Sequence, residues 1–348
     1  MKTLITGAAG FIGSQLAHRM WSTGIPLVLV DNFSYGSEDN LEFEDHNFVN
    51  EVLNVDIRDR KAMEHIFKTE QIDYVYNIAG IAPLPDCQSN PCDAVDVNLT
   101  AFVNILELSR RWGGVKKIIQ ASTNAMYENE ITFPTVEDNF KVPTLIYPNT
   151  KYCAERFAES YCRTYGMNVT CLRFANVYGP HIDCLRKQPP FVGYMIRELY
   201  FNRKPVFHSD GTQRRDYIYI DDLLDLALMV HTKLNGFECL NVSSNRNYSV
   251  NEMYEMACRI MGKQILAHYA DTRHYWAKYP SLYEGTYPIK DEILEHEVNK
   301  YSLCDNAMAR DTYGWNPKVD METGLKKVID YETKVLSKLM ISNENIEN

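Results

Sequence analysis

The sequence predicts an α/β protein built on a doubly wound parallel sheet, with a smaller mixed α/β region in its second half. Three observations predict it. Short apolar runs alternate with helical stretches up to about residue 180, the rhythm of repeated βαβ units. A glycine-punctuated turn, Thr6-Gly7-Ala8-Ala9-Gly10-Phe11-Ile12-Gly13, stands between the first run and the first helical stretch. Beyond it, Pro189-Pro190 and Pro205 break the rhythm, and residues 271–300 become polar, aromatic and irregular.

The elements follow in order. Residues 2–6 read as a strand, and 11–23 as a helix with Phe11, Ile12, Leu16, Ala17 and Met20 on its apolar side. Residues 26–30 form a nearly all-apolar second strand, as a sheet covered on both faces requires. Residues 48–54 and 74–78 read as further strands around a helix over 60–70. A long helix is expected over 91–111, a strand over 116–121 and a helix over 147–165. The last residues, from about 336, are expected to fray.

Composition narrows the function. Lys and Arg number 36 against 46 Asp and Glu, a net charge of −10, so non-specific nucleic-acid binding through basic patches is not expected. No stretch reaches the roughly 18–20 apolar residues of a membrane span, and the first apolar run is too short for a signal-peptide core. The nine cysteines are odd in number and lack CxxC spacing. Reduced thiols in a cytoplasmic protein, with no metal site, are the expectation.

The glycine turn carries the first chemistry. A strand leads into it and a helix leaves it, the context that lifts such a motif above chance. Gly7 permits the tight turn, Gly10 lets backbone approach a pyrophosphate, and Gly13 lets the helix pack closely on the sheet. The helix N-terminus then offers N–H groups to the phosphates. Asp31 ends the second strand 18 residues after Gly13. A carboxylate there accepts hydrogen bonds from the adenosine ribose and repels a 2′-phosphate, which favours NAD over NADP. Asp56-Ile57, ending the third strand, offers a polar cap and an apolar wall for adenine. Taken alone, Asp31 also suits a solvated strand-end acid.

Tyr147 and Lys151 lie at i and i+4 of a helix, so phenol and ammonium share one face. A free tyrosine titrates near ~10 and is a poor base at neutral pH; a nearby cation stabilises its phenolate. By itself the spacing also describes an ordinary surface pair. Ser122-Thr123 stands at the carboxyl end of the strand over 116–121, where parallel sheets face their ligands. A hydroxyl there can reach a reacting oxygen.

Together these residues resemble the extended short-chain dehydrogenase/reductase family, in particular its NAD-dependent nucleotide-sugar epimerases and dehydratases. The resemblance rests on Thr6–Gly13, Asp31-Asn32, Asp56-Ile57, Ser122-Thr123, Tyr147 with Lys151, the run from Leu172 to Pro180, the run from Arg215 to Asp222, and Gly314-Trp315-Asn316-Pro317 with Gly324-Leu325. It implies a Rossmann-type cofactor domain over 1–178, with about 213–245 returning to it. A nucleotide-sugar-binding domain over 179–340 and a flexible tail over 341–348 would complete the chain.

The resemblance also implies roles. Tyr147 would be the base, Lys151 would hold the nicotinamide ribose, and Thr123 would contact the sugar's 4-oxygen with Ser122 beside it. Asn32, together with Asp31, Ala79, Gly80 and Ile81, would line the NAD site, and Asn98 would be structural within it. Asn176 would touch the sugar or its diphosphate, and Arg215 would clamp the diphosphate, a task suited to a planar guanidinium. Arg214 is expected to be solvated. Phe191 and residues 207–211 are expected near the nucleotide. A homodimer through the helices over 91–111 and 147–165 is implied by the same analogy.

The family's reactions begin alike, with oxidation at C4 of the sugar. Its 4,6-dehydratases place an Asp-Glu pair directly after the active-site threonine, whereas this chain has Asn124-Ala125. Some 3,5-epimerases carry a cysteine at the position of Ala125. The departures favour a 4-epimerase, completed by hydride return. A dehydratase with displaced acid and base groups, Glu128 or a residue in 271–300, is the alternative. An NAD-binding protein without turnover is a third reading.

Overall fold

The computed structural model describes residues 2–344 apart from Gly113, Asn139 and Lys187. Its strands are β1 (Thr3–Thr6), β2 (Leu27–Asp31), β3 (Val52–Asn54), β4 (Tyr74–Asn77), β5 (Lys117–Thr123), β6 (Val169–Phe174), β7 (Asn176–Tyr178), β8 (Val206–Phe207), β9 (Arg214–Tyr219), β10 (Phe237–Val242), β11 (Asn247–Ser249) and β12 (His268–Tyr269). Its helices are α1 (Phe11–Trp21), α2 (Arg60–Thr69), α3 (Leu84–Ser89), α4 (Pro91–Val95), α5 (Ala101–Trp112), α6 (Ile146–Tyr165), α7 (Phe191–Tyr200), α8 (Ile220–Met229), α9 (Val250–Met261), α10 (Asp291–Asn299), α11 (Ala307–Tyr313) and α12 (Met321–Glu344).

Contacts divide the chain into two units. The first holds the residues up to Ala175 with Leu223–Ser243 and Cys304–Asn316. Its seven strands run in the order β10-β6-β5-β4-β1-β2-β3, every pair parallel. The order reverses between β1 and β4, the switch point at which doubly wound sheets bind ligands. The Rossmann-type sheet is the one the sequence predicts. Leu4, Val75, Ile118 and Val169 are fully buried against Phe102 and Ile105 of α5 and Ala154 and Ala158 of α6. Each large apolar side chain buried this way contributes roughly 1.5–3 kcal/mol.

Several elements differ from expectation. The helix over 91–111 is one helical run interrupted by a π turn at Asp96–Thr100. Such turns insert a residue into the ladder and re-aim side chains; Asn98 lies within this one. The strand over 48–54 is shortened by a 3₁₀ turn at Val49–Glu51. Helix α6 matches its predicted span and ends at Gly166, whose φ of 69° is left-handed, as helix-terminating glycines favour.

The second unit holds Asn176–Asp222, Ser244–Leu303 and the chain from Pro317 on. It contains the small sheet β11-β9-β7 and the parallel pair β12-β8. Ser249 and Glu252 form a reciprocal capping box at the start of α9, which satisfies two otherwise orphaned amides. The irregular stretch 271–300 contains the unpredicted helix α10 and anchors itself on Trp276, 1% exposed. Of the expected tail over 341–348, residues 341–344 continue α12, and 345–348 lie outside the described residues. Among the described residues no helix is long and apolar enough to cross a membrane, and no cluster of potential metal ligands occurs.

Candidate functional site

The turn after β1 is built for close approach. Gly7 has φ +70°, and a Cβ there would lie 2.7 Å from the Ala79 backbone nitrogen. A Cβ on Gly13 would lie 2.0 Å from the Gly7 carbonyl oxygen. Gly10 caps α1 with no side-chain acceptor, so the first helical amides are not covered by a capping group. Phe11 and Ile12 are half-buried in that first turn. A bare helix N-terminus in a glycine cradle, at the switch point, fits a dinucleotide pyrophosphate.

Asp31 closes the cradle from the next strand. Its carboxylate accepts the Ala9 amide at 2.9 Å and the Phe33 amide at 2.7 Å. Burial raises its pKa, and the backbone hydrogen bonds oppose that rise. Asn32 donates to Asp56 at 2.8 Å, and Ile57 is buried behind them. Asp56 also takes the Arg58 side chain at 3.0 and 2.7 Å. These bonds pull its pKa down to about 2. Arg58, which also pairs with Asp93, is a cation at the edge of the predicted adenine end that the sequence reading passed over. Its only signal was its place two residues after Asp56.

On the other side of the switch, the Ala79 amide donates to Thr6 Oγ1 at 3.3 Å. Asn98 holds Ile81 from both sides, accepting its amide at 2.8 Å and donating to its carbonyl at 2.9 Å. It also donates to Thr150 Oγ1 at 3.1 Å, tying the π turn to α6. A Cβ on Gly80 would stand 2.9 Å from Asn98 Oδ1 and 3.2 Å from Lys151 Nζ. The loop at Gly80 and the lysine are therefore in direct proximity.

Lys151 is buried and donates to the Ala121 carbonyl at 3.0 Å. Burial pushes its pKa down to about 8. Tyr147 is half-buried; burial pushes its phenol up to about 12, while a hydrogen bond from Thr123 acts in the opposite direction. Thr123 Oγ1 accepts the Ala125 amide at 3.0 Å. Cys87 packs with Ile81, Ile146 and Tyr147, and its thiol donates to the Ile81 carbonyl at 3.3 Å. No spacing rule had singled out this cysteine from the other eight.

Other predicted residues sit differently. Ser122, expected beside the substrate, donates to Glu155 at 2.6 Å and is buried, because its hydroxyl turns to a carboxylate that is itself fully buried. Glu128, the candidate displaced acid, accepts the amides of Thr144 and, at 2.8 Å, Leu145. It pins the segment that leads into α6. Asn124 has its amide nitrogen buried without a partner.

In the second unit, Asn176 donates to the Asp216 carbonyl at 2.8 Å. Arg215 donates to the Glu297 and Val298 carbonyls at 2.7 and 3.1 Å. One guanidinium nitrogen thus caps the carboxyl end of α10, a favourable place for a cation. Arg214 is not simply solvated: it pairs with Glu252 and donates to Asn247 at 3.0 Å. Phe191 packs on Phe207 with ring centroids 5.7 Å apart. His208 lies 3.2 Å from the Asp271 carbonyl. A cleft of about 690 Å³ beside them is lined by Ser209, Asp210, Tyr269, Asp271, Arg273 and Glu295, so the 271–300 stretch forms part of its wall.

Comparison with known proteins converges on one family. The chain is 28% identical to a UDP-glucuronate 4-epimerase of Thermodesulfobacterium geofontis over 99% of its own length and 97% of that protein's. It is 28% identical to the dTDP-D-glucose 4,6-dehydratase of Mus musculus, over 96% and 89% respectively. The structure of a Thermotoga maritima UDP-glucose 4-epimerase with UDP-glucose superposes with a TM-score of 0.84 at 30% identity, covering 97% of this chain and all of that one. Residues 3–243 match the model of the NAD dependent epimerase/dehydratase family. With the glycine cradle, the switch-point sheet and that match in agreement, the chain belongs to the NAD-dependent epimerase/dehydratase family, whose members act on nucleotide sugars.

Proposed function

We propose that the protein is a nucleotide-sugar 4-epimerase. One observation carries the reading: beyond Thr123 and Tyr147, the groups that follow on the strand end cannot complete an elimination. Asn124 and Ala125 carry no transferable proton of the required kind, and the nearby acid Glu128 is engaged by two backbone amides. Loss of water would need a further acid and base. The similarity to two 4-epimerases supports the same choice.

In this reading Tyr147 Oη takes the proton of the sugar's 4-hydroxyl. Thr123 donates its one hydroxyl proton to the 4-oxygen and holds it in place. Bound NAD supplies the acceptor for the C4 hydride and its return. Gly7, Gly10, Gly13 and the α1 amides hold the pyrophosphate, Asp31 and Asn32 the adenosine ribose, and Asp56 and Ile57 the adenine. Ala79, Gly80 and Ile81 line the nicotinamide side, braced by Asn98. Lys151 holds the nicotinamide ribose and supplies the positive charge that favours phenolate. Asn176 and Arg215 are the proposed holders of the sugar and its diphosphate. A homodimer belongs to the same reading, supported by exposed Trp112 on α5 and Phe157 and Tyr165 on α6.

Incubation with UDP-glucose and UDP-glucuronate, followed by mass spectrometry and NMR of the products, tests this. An isomer of unchanged mass inverted at C4 is expected. Loss of one water would establish a dehydratase instead, and unchanged sugars with tightly held NAD would establish a binding protein.

A further inference from the structure

Behind Thr123 lies a buried charged network that the proposed chemistry does not use. Glu155 is 0% exposed and Arg173 is 2% exposed. They form a two-point pair, Nε to Oε1 at 2.9 Å and Nη2 to Oε2 at 2.6 Å. Ser122 donates to the same carboxylate at 2.6 Å. Arg173 Nη1 donates to Tyr127 Oη and to the Glu137 carbonyl, both at 2.7 Å. Tyr127 in turn donates to Asn241 Oδ1 at 2.7 Å.

An ion pair taken wholly out of water gains little net stability, because desolvation offsets the attraction. Its location gives it another use. Ser122 is the residue before Thr123, and Tyr127 ends the turn Asn124–Tyr127 that follows Thr123. Glu155 lies one helical turn after Lys151 on α6, and i, i+4 residues share a face. The carboxylate thus joins β5 to α6 directly behind the two elements that carry Thr123, Tyr147 and Lys151, and Arg173 fixes it from β6. Each of the three bonds is short and charge-assisted, the kind that holds geometry most firmly.

We propose that the Glu155–Arg173 pair is a positioning device, which fixes the end of β5 against α6 and so sets the placement of Thr123 and Lys151. The proposal rests on the reading of Tyr147 and Lys151 as the working pair. Around Glu155 the charged and titratable groups are Arg173 and Cys171 on β6, Lys151 and Arg156 on α6, and Cys239 on β10 beside Cys171.

The test follows Lys151 itself, by NMR of protein labelled at the lysine ε-carbon, with NAD present and absent. The resonance is assigned by its disappearance in Lys151→Met. In Glu155→Gln/Arg173→Gln both charges are replaced by neutral amides, and net charge is unchanged. Loss of the nearer Glu155 charge alone would lower the Lys151 titration, since that carboxylate raises it. A loosened β5–α6 junction admits water, relieves burial and raises it. The expected result is a rise of about one unit in the double variant. Ser122→Ala, which leaves the ion pair intact, should shift it in the same direction by less, and it serves if the double variant does not fold. No shift, or a downward one, in the folded variants would overturn the proposal. Turnover by Tyr147→Phe, measured alongside, tests the functional reading separately, because the Lys151 titration needs no substrate.

Discussion

Thr123 and Tyr147 are linked electrostatically: the threonine hydroxyl lowers the phenol's pKa against the rise that burial imposes. Thr123 Oγ1 accepts the Ala125 amide at 3.0 Å, and its single hydroxyl proton stays available for a reacting oxygen. A hydrogen bond to a charged group is worth roughly 1.5–3 kcal/mol. Thr123→Val should therefore lower kcat by about 10- to 100-fold, with NAD retained. Tyr147→Phe should lower it by roughly 10²–10⁴-fold, the usual contribution of a positioned acid–base group. Steady-state kinetics on a turned-over UDP-sugar, with NAD content measured after gel filtration, checks both.

Lys151 gives the pH dependence. Its folded pKa, about 8, lies below the ordinary lysine value because burial disfavours the ammonium. The ammonium is present below that value and lost above it, so kcat/KM should fall as pH rises through about 8. Lys151→Met should abolish that limb and weaken NAD binding. A profile flat to pH values well above this limb would remove Lys151 from the mechanism.

Gly80 tests the closeness of loop and lysine. Gly80→Ala places a methyl group 2.9 Å from Asn98 Oδ1 and 3.2 Å from Lys151 Nζ. Overpacking of this kind costs about 1–3 kcal/mol. A lower melting temperature and a loss of NAD affinity of about tenfold or more are expected, both measurable by calorimetry.

Glu128→Gln separates the two reactions. Glutamine keeps an acceptor oxygen for the Thr144 and Leu145 amides but cannot act as a carboxylate base. Epimerisation should stay within about tenfold of the parent, the worth of a weakened hydrogen bond. Complete loss of turnover with a normal melting curve would return Glu128 to the chemistry.

The sequence by itself determined the sheet class, the NAD cofactor and the family. Those signals are local: glycine spacing, strand-end carboxylates and an i, i+4 pair each declare themselves within a few residues. The span of α6 was legible for the same reason, as a helix over 147–165 that the structure places at Ile146–Tyr165. Only the tertiary structure decided where side chains of neighbouring residues go. Ser122 and Thr123 are adjacent hydroxyls, yet Ser122 donates to Glu155 while Thr123 accepts the Ala125 amide, because β5 ends at Thr123 and a turn begins there. Cys87 stands beside Tyr147 and Arg215 against the end of α10 through contacts between segments far apart in sequence. Composition and spacing carry no record of such contacts, which is why the residues around Tyr147, unlike the glycine turn after β1, had to be read from the fold.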